Sequence, residues 1–188
     1  MCRALLFLAA FLTSACSRPP AVELPPVSPV AQDEQANEVS NDKGRQFLAE
    51  VLQTLQRADQ VVVVEHSHEL DLPQPGPNDP PYREHSYKRV TLSNAQLSNL
   101  KDRLERMSPH VPSYVSACVF IPHHRLEFLR KGKQIRRMEV CLSCGQMDWD
   151  GAFPNEEPSE FYGSFSDFLK DAGLEPDRNW ERLARGSD

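Results

Sequence analysis

The chain has 188 residues, of which 21 are basic and 27 acidic, giving a formal net charge of −6 at pH 7. That balance argues against a general nucleic-acid binder, which needs a basic footprint for the phosphates. No Walker, dinucleotide, H-E-x-x-H or G-x-S-x-G fingerprint occurs, so no familiar enzyme chemistry announces itself.

The N-terminus reads MCRALLFLAAFLTSACSRPP: one basic residue, Arg3, an apolar run from Ala4 to Leu12, then small residues leading into Cys16. The run is too short to span a bilayer as a helix and has the shape of a secretory signal. Leu12-Thr13-Ser14-Ala15-Cys16 resembles the lipobox of bacterial lipoproteins, with Thr13 where an aliphatic residue is usual. The resemblance implies that residues 1–15 are a signal peptide and that Cys16 becomes the lipidated first residue. An ordinary signal cut near Ala15 is the alternative. Ser17, rather than Asp, next to the lipid implies the outer membrane, with the domain facing the periplasm. Each buried acyl methylene contributes about 0.8 kcal/mol, so more than one chain anchors a protein without a transmembrane helix.

Residues 16–43 are rich in Pro, Ser, Asn and acids and poor in large apolar residues. Such a segment buries too little surface to offset its ordering entropy and is expected to be a flexible tether. Residues 44–188 have the size of one domain with a single core. The expected fold is α+β, an antiparallel sheet or meander with amphipathic helices packed on one face.

Phe47, Leu48, Val51, Leu52 and Leu55 form the stripe of a first helix. Val61 to Val64 follow as four β-branched residues, a strand with both faces covered. A loop dense in Pro, Gly, Asn and Asp leads to a strand from about Ser86 to Leu92. A helix comes next, capped by Ser93 with Gln96 as its capping-box partner. In the segment around 114–147, Leu126 and Phe128 alternate with polar neighbours, as do Met138, Val140 and Leu142, and Lys131-Gly132-Lys133 is the expected hairpin loop. If that hairpin closes across Arg130 and Gln134, Leu126 faces Met138 and His123 sits opposite Cys141. A short helix carrying Phe165, Phe168 and Leu169, ended near Gly173 and Pro176, and a last turn around Trp180 and Leu183 complete the chain.

With Cys2 in the signal and Cys16 lipidated, Cys118, Cys141 and Cys144 remain. In an exported protein a disulfide among these three is the default reading, with one thiol left over. Cys118, His123 or His124, and the Cys141-x2-Cys144-Gly145 turn also have the ligand types and spacing of a four-coordinate zinc site, making zinc the cofactor candidate. A redox-active pair is a third reading, although this Cys-x2-Cys ends a strand and meets an acidic loop, Asp148 to Asp150. Residues 116–147 are similar to an uncharacterised family of bacterial proteins in which Cys, Pro and His precede a strand and a later strand ends in Cys-apolar-x-Cys. The matching residues are Cys118, Pro122, His124, Cys141, Leu142 and Cys144. The resemblance implies a shared module and favours His124, where register favours His123.

His66, His68 and His85 form a second candidate set for zinc or copper, with exposed strand-end residues as the plainer reading. The hairpin is basic through Arg125, Arg130, Lys131, Lys133, Arg136 and Arg137, a tip suited to an acidic partner or to solvent. Asp148, Asp150, Glu156, Glu157 and Glu160 read as a solvated acidic loop, and Trp149, Phe153, Phe161 and Tyr162 as core or an aromatic contact patch. These features point to a lipid-anchored envelope protein with a membrane contact through its lipid and a protein partner for its domain. The rival is a metal- or thiol-dependent periplasmic enzyme built on Cys118, Cys141 and Cys144.

Overall fold

The computed structural model describes residues 29–73, 76, 80–113, 117–150 and 156–186. The expected signal segment, Cys16 and Phe153 lie outside them. The elements are α1 (Pro29–Arg57), β1 (Gln60–His66), a 3-10 turn (Glu69–Asp71), β2 (Ser86–Thr91), α2 (Asn94–Arg106), β3 (His124–Arg130), β4 (Lys133–Cys141), β5 (Gln146–Trp149), α3 (Phe161–Asp171) and α4 (Trp180–Ala184). The strands form one antiparallel sheet in the order β2-β1-β3-β4-β5. This is the α+β architecture that the apolar patterning predicts.

The core lies between the helices and one face of the sheet. Phe47, Leu48, Val51 and Leu55 of α1, Leu100 and Leu104 of α2, and Phe161, Phe165, Phe168 and Leu169 of α3 pack with Val61, Val63, Leu126, Phe128, Met138, Val140 and Met147. Among the described residues no helix packs on the opposite face. It is where β1 places Val62, Val64 and His66, since successive side chains alternate across a strand.

Helix α1 starts at Pro29, inside the stretch read as a tether from 16 to 43. Pro suits the first helical position, and residues 30–43 contain neither Pro nor Gly but several Ala, Gln and Glu, which favour helix. Ser40 then fastens the helix to the 107–113 segment, its hydroxyl donating to the Val111 carbonyl at 2.6 Å and accepting from the Val111 amide at 3.2 Å. One turn later Gly44 is required by close approach, because a Cβ there would run into the Pro109 carbonyl.

Helix α2 opens with the expected capping box, Ser93 accepting from the Gln96 amide and Gln96 accepting from the Ser93 amide. The β3–β4 hairpin is tighter than the three-residue loop expected. Arg130 pairs with Lys133, and the two turn residues, Lys131 and Gly132, take φ of 53° and 72°, the doubly positive geometry of a two-residue hairpin turn. An irregularity between Phe128 and Leu129 absorbs the one-residue difference, so Leu126 still faces Met138. After Cys141 the chain turns through Gly145, at φ 58°, and returns as β5, a strand the sequence reading did not separate.

Candidate functional site

Three chain segments meet where β1 ends and β3 begins. The His66 amide donates to the His123 carbonyl at 3.0 Å, and the Ser67 amide to the His85 carbonyl at 2.9 Å. Alternation sends His66 to the uncovered face and its neighbours Glu65 and His124 to the helix-covered face, so two polar clusters form back to back through the sheet.

On the uncovered face the centre is Arg125. Its guanidinium meets Glu84 through two bonds of 2.8 and 2.7 Å and Glu139 at 3.2 Å. The Arg125 bonds hold the Glu84 carboxyl below the ordinary carboxylate range. His66 is buried beside them, with Nε2 2.9 Å from Glu139 Oε2 and Nδ1 2.9 Å from the Ser67 carbonyl. Both neighbours are oxygen atoms, so the ring is held from two sides. Further along the strands Arg89 grips Glu127 with bonds of 3.3 and 2.7 Å. The face is an array of charges already committed to one another.

The covered face holds a second cluster. Glu65, fully buried, accepts from the Glu175 amide at 2.6 Å and lies 3.2 Å from Arg178 Nη2. His124 pairs with Glu65 across the β1–β3 ladder. Burial, with His123 and His66 nearby, pushes the His124 imidazole down to about 3 despite a backbone hydrogen bond at Glu175. Trp180 of α4 closes this end, its ring 4.4 Å from that of His123 and nearly parallel to it, and edge-on to His124 at 5.4 Å. Beside them is a pocket of about 290 Å³ whose walls include His124, Arg178, Val140, Leu142 and Pro176.

The candidate residues from the sequence end in different places. Cys141 and Cys144 lie at disulfide distance with Cα atoms 5.6 Å apart, while Cys118 is exposed and outside that pair. His123 Nε2 is 2.8 Å from Asp71 Oδ1, and burial lowers its pKa against the opposing pull of that carboxylate. Among the described residues no three His, Cys, Asp or Glu side chains are arranged to hold a metal ion. The candidate zinc set, Cys118, His123 or His124, Cys141 and Cys144, is not among such groups of described residues, nor is the set of His66, His68 and His85. His68 instead caps the 3-10 turn, its Nδ1 accepting from the Leu70 amide. Arg136 is taken up by Asp150 and Glu50, and Glu157 is buried against the Tyr162 hydroxyl. Glu65, Glu84, Glu139 and Arg178 were not singled out in the sequence. The signal for Glu65 was present: a carboxylate at the next inward position after four valines must find a buried partner.

No protein-family model matches the chain, and no curated protein and no solved structure matches it.

Proposed function

We propose that the protein is a binding module of the bacterial envelope, fastened to the outer membrane by lipid on Cys16 and docking a protein partner on the uncovered face of its sheet. The observation that carries this reading is the pre-assembled charge array around Arg125. Its side chains are already fixed by mutual hydrogen bonds, so a partner meeting them orders little that is loose, and alternating sign gives register and steering. Arg125, with only 12% of its side chain exposed, anchors the array rather than floating above it.

Photo-crosslinkers placed at Arg89 and Arg137 on that face, and at Gln53 on the outer side of α1, test the docking surface in cells. The expected result is one discrete adduct from the sheet positions and none from Gln53. Equal labelling from all three, or from none, defeats it. The anchor is tested separately by Cys16→Ala, which should move the protein from the membrane to a soluble fraction.

The enzyme reading keeps one supporting observation. Leu142 and Ser143, the two residues between the cysteines, line the pocket beside His124. A metal- or thiol-dependent reaction there requires turnover of a small substrate that disappears in Cys144→Ser. Metal content and free-thiol count of the full chain, measured without reductant, separate its metal form from its thiol form.

A further inference from the structure

Most cations on the sheet are already spent. Arg89, Arg125, Arg136, Arg137 and Arg178 each lie 2.6 to 3.7 Å from a carboxylate. The β3–β4 turn is the exception. Arg130, Lys131 and Lys133 are all exposed, and among the described residues none of them forms an ion pair. Arg57, exposed at the end of α1, is without one in the same sense. The chain brings it to the same corner. Just after it, the Asp59 amide donates to the Leu129 carbonyl at 2.9 Å, and the Asp59 carboxylate accepts from the Lys131 amide at 2.7 Å. The carboxylate that reaches the turn is therefore engaged by backbone.

The spacing of these cations is tight. Arg130 pairs with Lys133 across the hairpin, and side chains so paired start about 5 Å apart, where like charges repel. An opposite charge from outside relieves that repulsion. The net charge of −6 acts the other way on the rest of the molecule: a long polyanion is repelled by the whole and attracted only here, so the corner favours a short acidic segment.

A lipid surface fits less well. Membrane-surface elements set apolar side chains beside their cations. Here the exposed large apolar residues among those described, Leu70, Leu72, Tyr82 and Val119, all lie elsewhere in the chain, and Leu129 and Ile135 beside the turn are half-buried. The turn also sits at the Arg57 end of α1, a 29-residue helix about 43 Å long, whereas the chain from Cys16 enters at the Pro29 end.

We infer that this corner seats a short acidic segment of a protein partner, whose carboxylates meet Arg57, Arg130, Lys131 and Lys133. The inference rests on the docking reading and deepens it, because the corner ends the strands that carry Arg125 and Arg137 and names the chemistry the partner must bring.

The test titrates fluorescein-labelled decaglutamate into the detergent-solubilised full chain in dilute buffer, read by anisotropy. Saturable binding is expected. One exposed ion pair changes affinity by no more than about fivefold, so removing three cations together, in Arg130→Gln/Lys131→Gln/Lys133→Gln, should weaken it roughly tenfold. The control Arg83→Gln/Lys101→Gln/Arg106→Gln, which removes the same charge elsewhere, should bind as before. Equal weakening in both variants, or no saturable binding, overturns the assignment. The membrane is tested by floating the Cys16→Ala chain with phosphatidylglycerol vesicles, with and without the three turn cations. Flotation that depends on those cations, without peptide binding, assigns the corner to lipid and also overturns the inference. In cells, a photo-crosslinker at Gln134 beside the turn should capture the adduct seen from Arg137, and the turn-neutralised chain should lose it. If Arg89 and Arg137 yield an adduct that the neutralised chain yields equally, the docking face stands and this inference falls; no adduct from the unaltered chain overturns both.

Discussion

Val63 and Val64 are adjacent in sequence and equally buried, both at 0% exposure, but different things cover them. Val63 packs under the helices in the apolar core. Val64 faces the side with no helix, flanked on its neighbouring strands by Arg89 and Arg125. Long charged side chains can shield a valine with their aliphatic stems while their heads pair in water. Around Val63 the covered face is thus closed by apolar surface that needs no particular charge state, the Glu65 and His124 cluster lying at its end. The other is closed by ion pairs, and its order depends on their remaining charged.

The contrast predicts its largest effects on the covered face. Phe128, at 0% exposure and edge-on to Trp149 at 5.7 Å, should cost about 3–5 kcal/mol when cut to alanine, because the packed helices cannot collapse into the space. Urea unfolding of Phe128→Ala measures it. Arg178→Met strands the buried Glu65 carboxylate and should cost about 3 kcal/mol, the low end for a broken buried pair since Arg178 is itself partly exposed. Adding Glu65→Gln should return much of that loss; if it returns none, the pair is not what holds Arg178 there. Gly44→Ala should lose about 1–3 kcal/mol by overpacking against Pro109, although alanine is the better helix former by about 1 kcal/mol. A stabilised Gly44→Ala protein would show that the 107–113 segment does not press on α1.

Acid separates the two faces next. His124 is held near 3, well below the ordinary histidine value of 6.5, so the native state refuses a proton that the unfolded chain accepts. Its contribution is complete above about pH 6.5 and is lost as pH falls from there toward 3, at roughly 1.4 kcal/mol per pH unit while the unfolded ring is charged. His123, also lowered by burial, adds in the same direction. Glu84 on the uncovered face has a depressed pKa, so its stabilisation is present above the ordinary carboxylate value and disappears only as pH falls through the lowered one. Between pH 6.5 and 5 the slope of stability should therefore come from the histidines. Denaturant titrations at stepped pH should show that slope reduced in His124→Leu and kept in Glu84→Gln.

What the sequence revealed was what neighbouring residues decide. The Ser93 and Gln96 cap, the facing of Leu126 and Met138, and the apolar stripe from Phe47 to Leu55 follow from spacings within a few residues. The site follows from pairings that no local spacing encodes. His66 and Glu139 are 73 residues apart in the chain, and Arg125 and Glu84 are 41 apart. They meet only because β1 lies between β2 and β3, and a buried glutamate or histidine has no periodic signature of its own. Trp180 sits in the expected last helical turn, but that it stacks on His123, 57 residues earlier, is another pairing that no local spacing encodes. The helix start at Pro29 was missed for a related reason: its first turns carry no apolar stripe, so periodicity had nothing to report.

The smallest predicted effect probes the uncovered face at its edge. Arg89 and Glu127 make a two-pronged contact, but the Arg89 side chain is 50% exposed, so water and salt compete for both charges. Exposed pairs contribute about 0.2–1 kcal/mol, and Arg89→Ala should lose no more than that in dilute buffer. At high salt the loss should shrink, because ions screen exposed charges within a few ångströms. Glu127 is 14% exposed and also lies 3.3 Å from Arg125 Nε, so it keeps a cation when Arg89 is removed. The array at Arg125 should then survive Arg89→Ala, with adjacent Val64 remaining protected from hydrogen exchange. If exchange at Val64 instead rises together with that at Val62, the charges act as one cooperative cover, and the edge of the face is as costly to disturb as its centre.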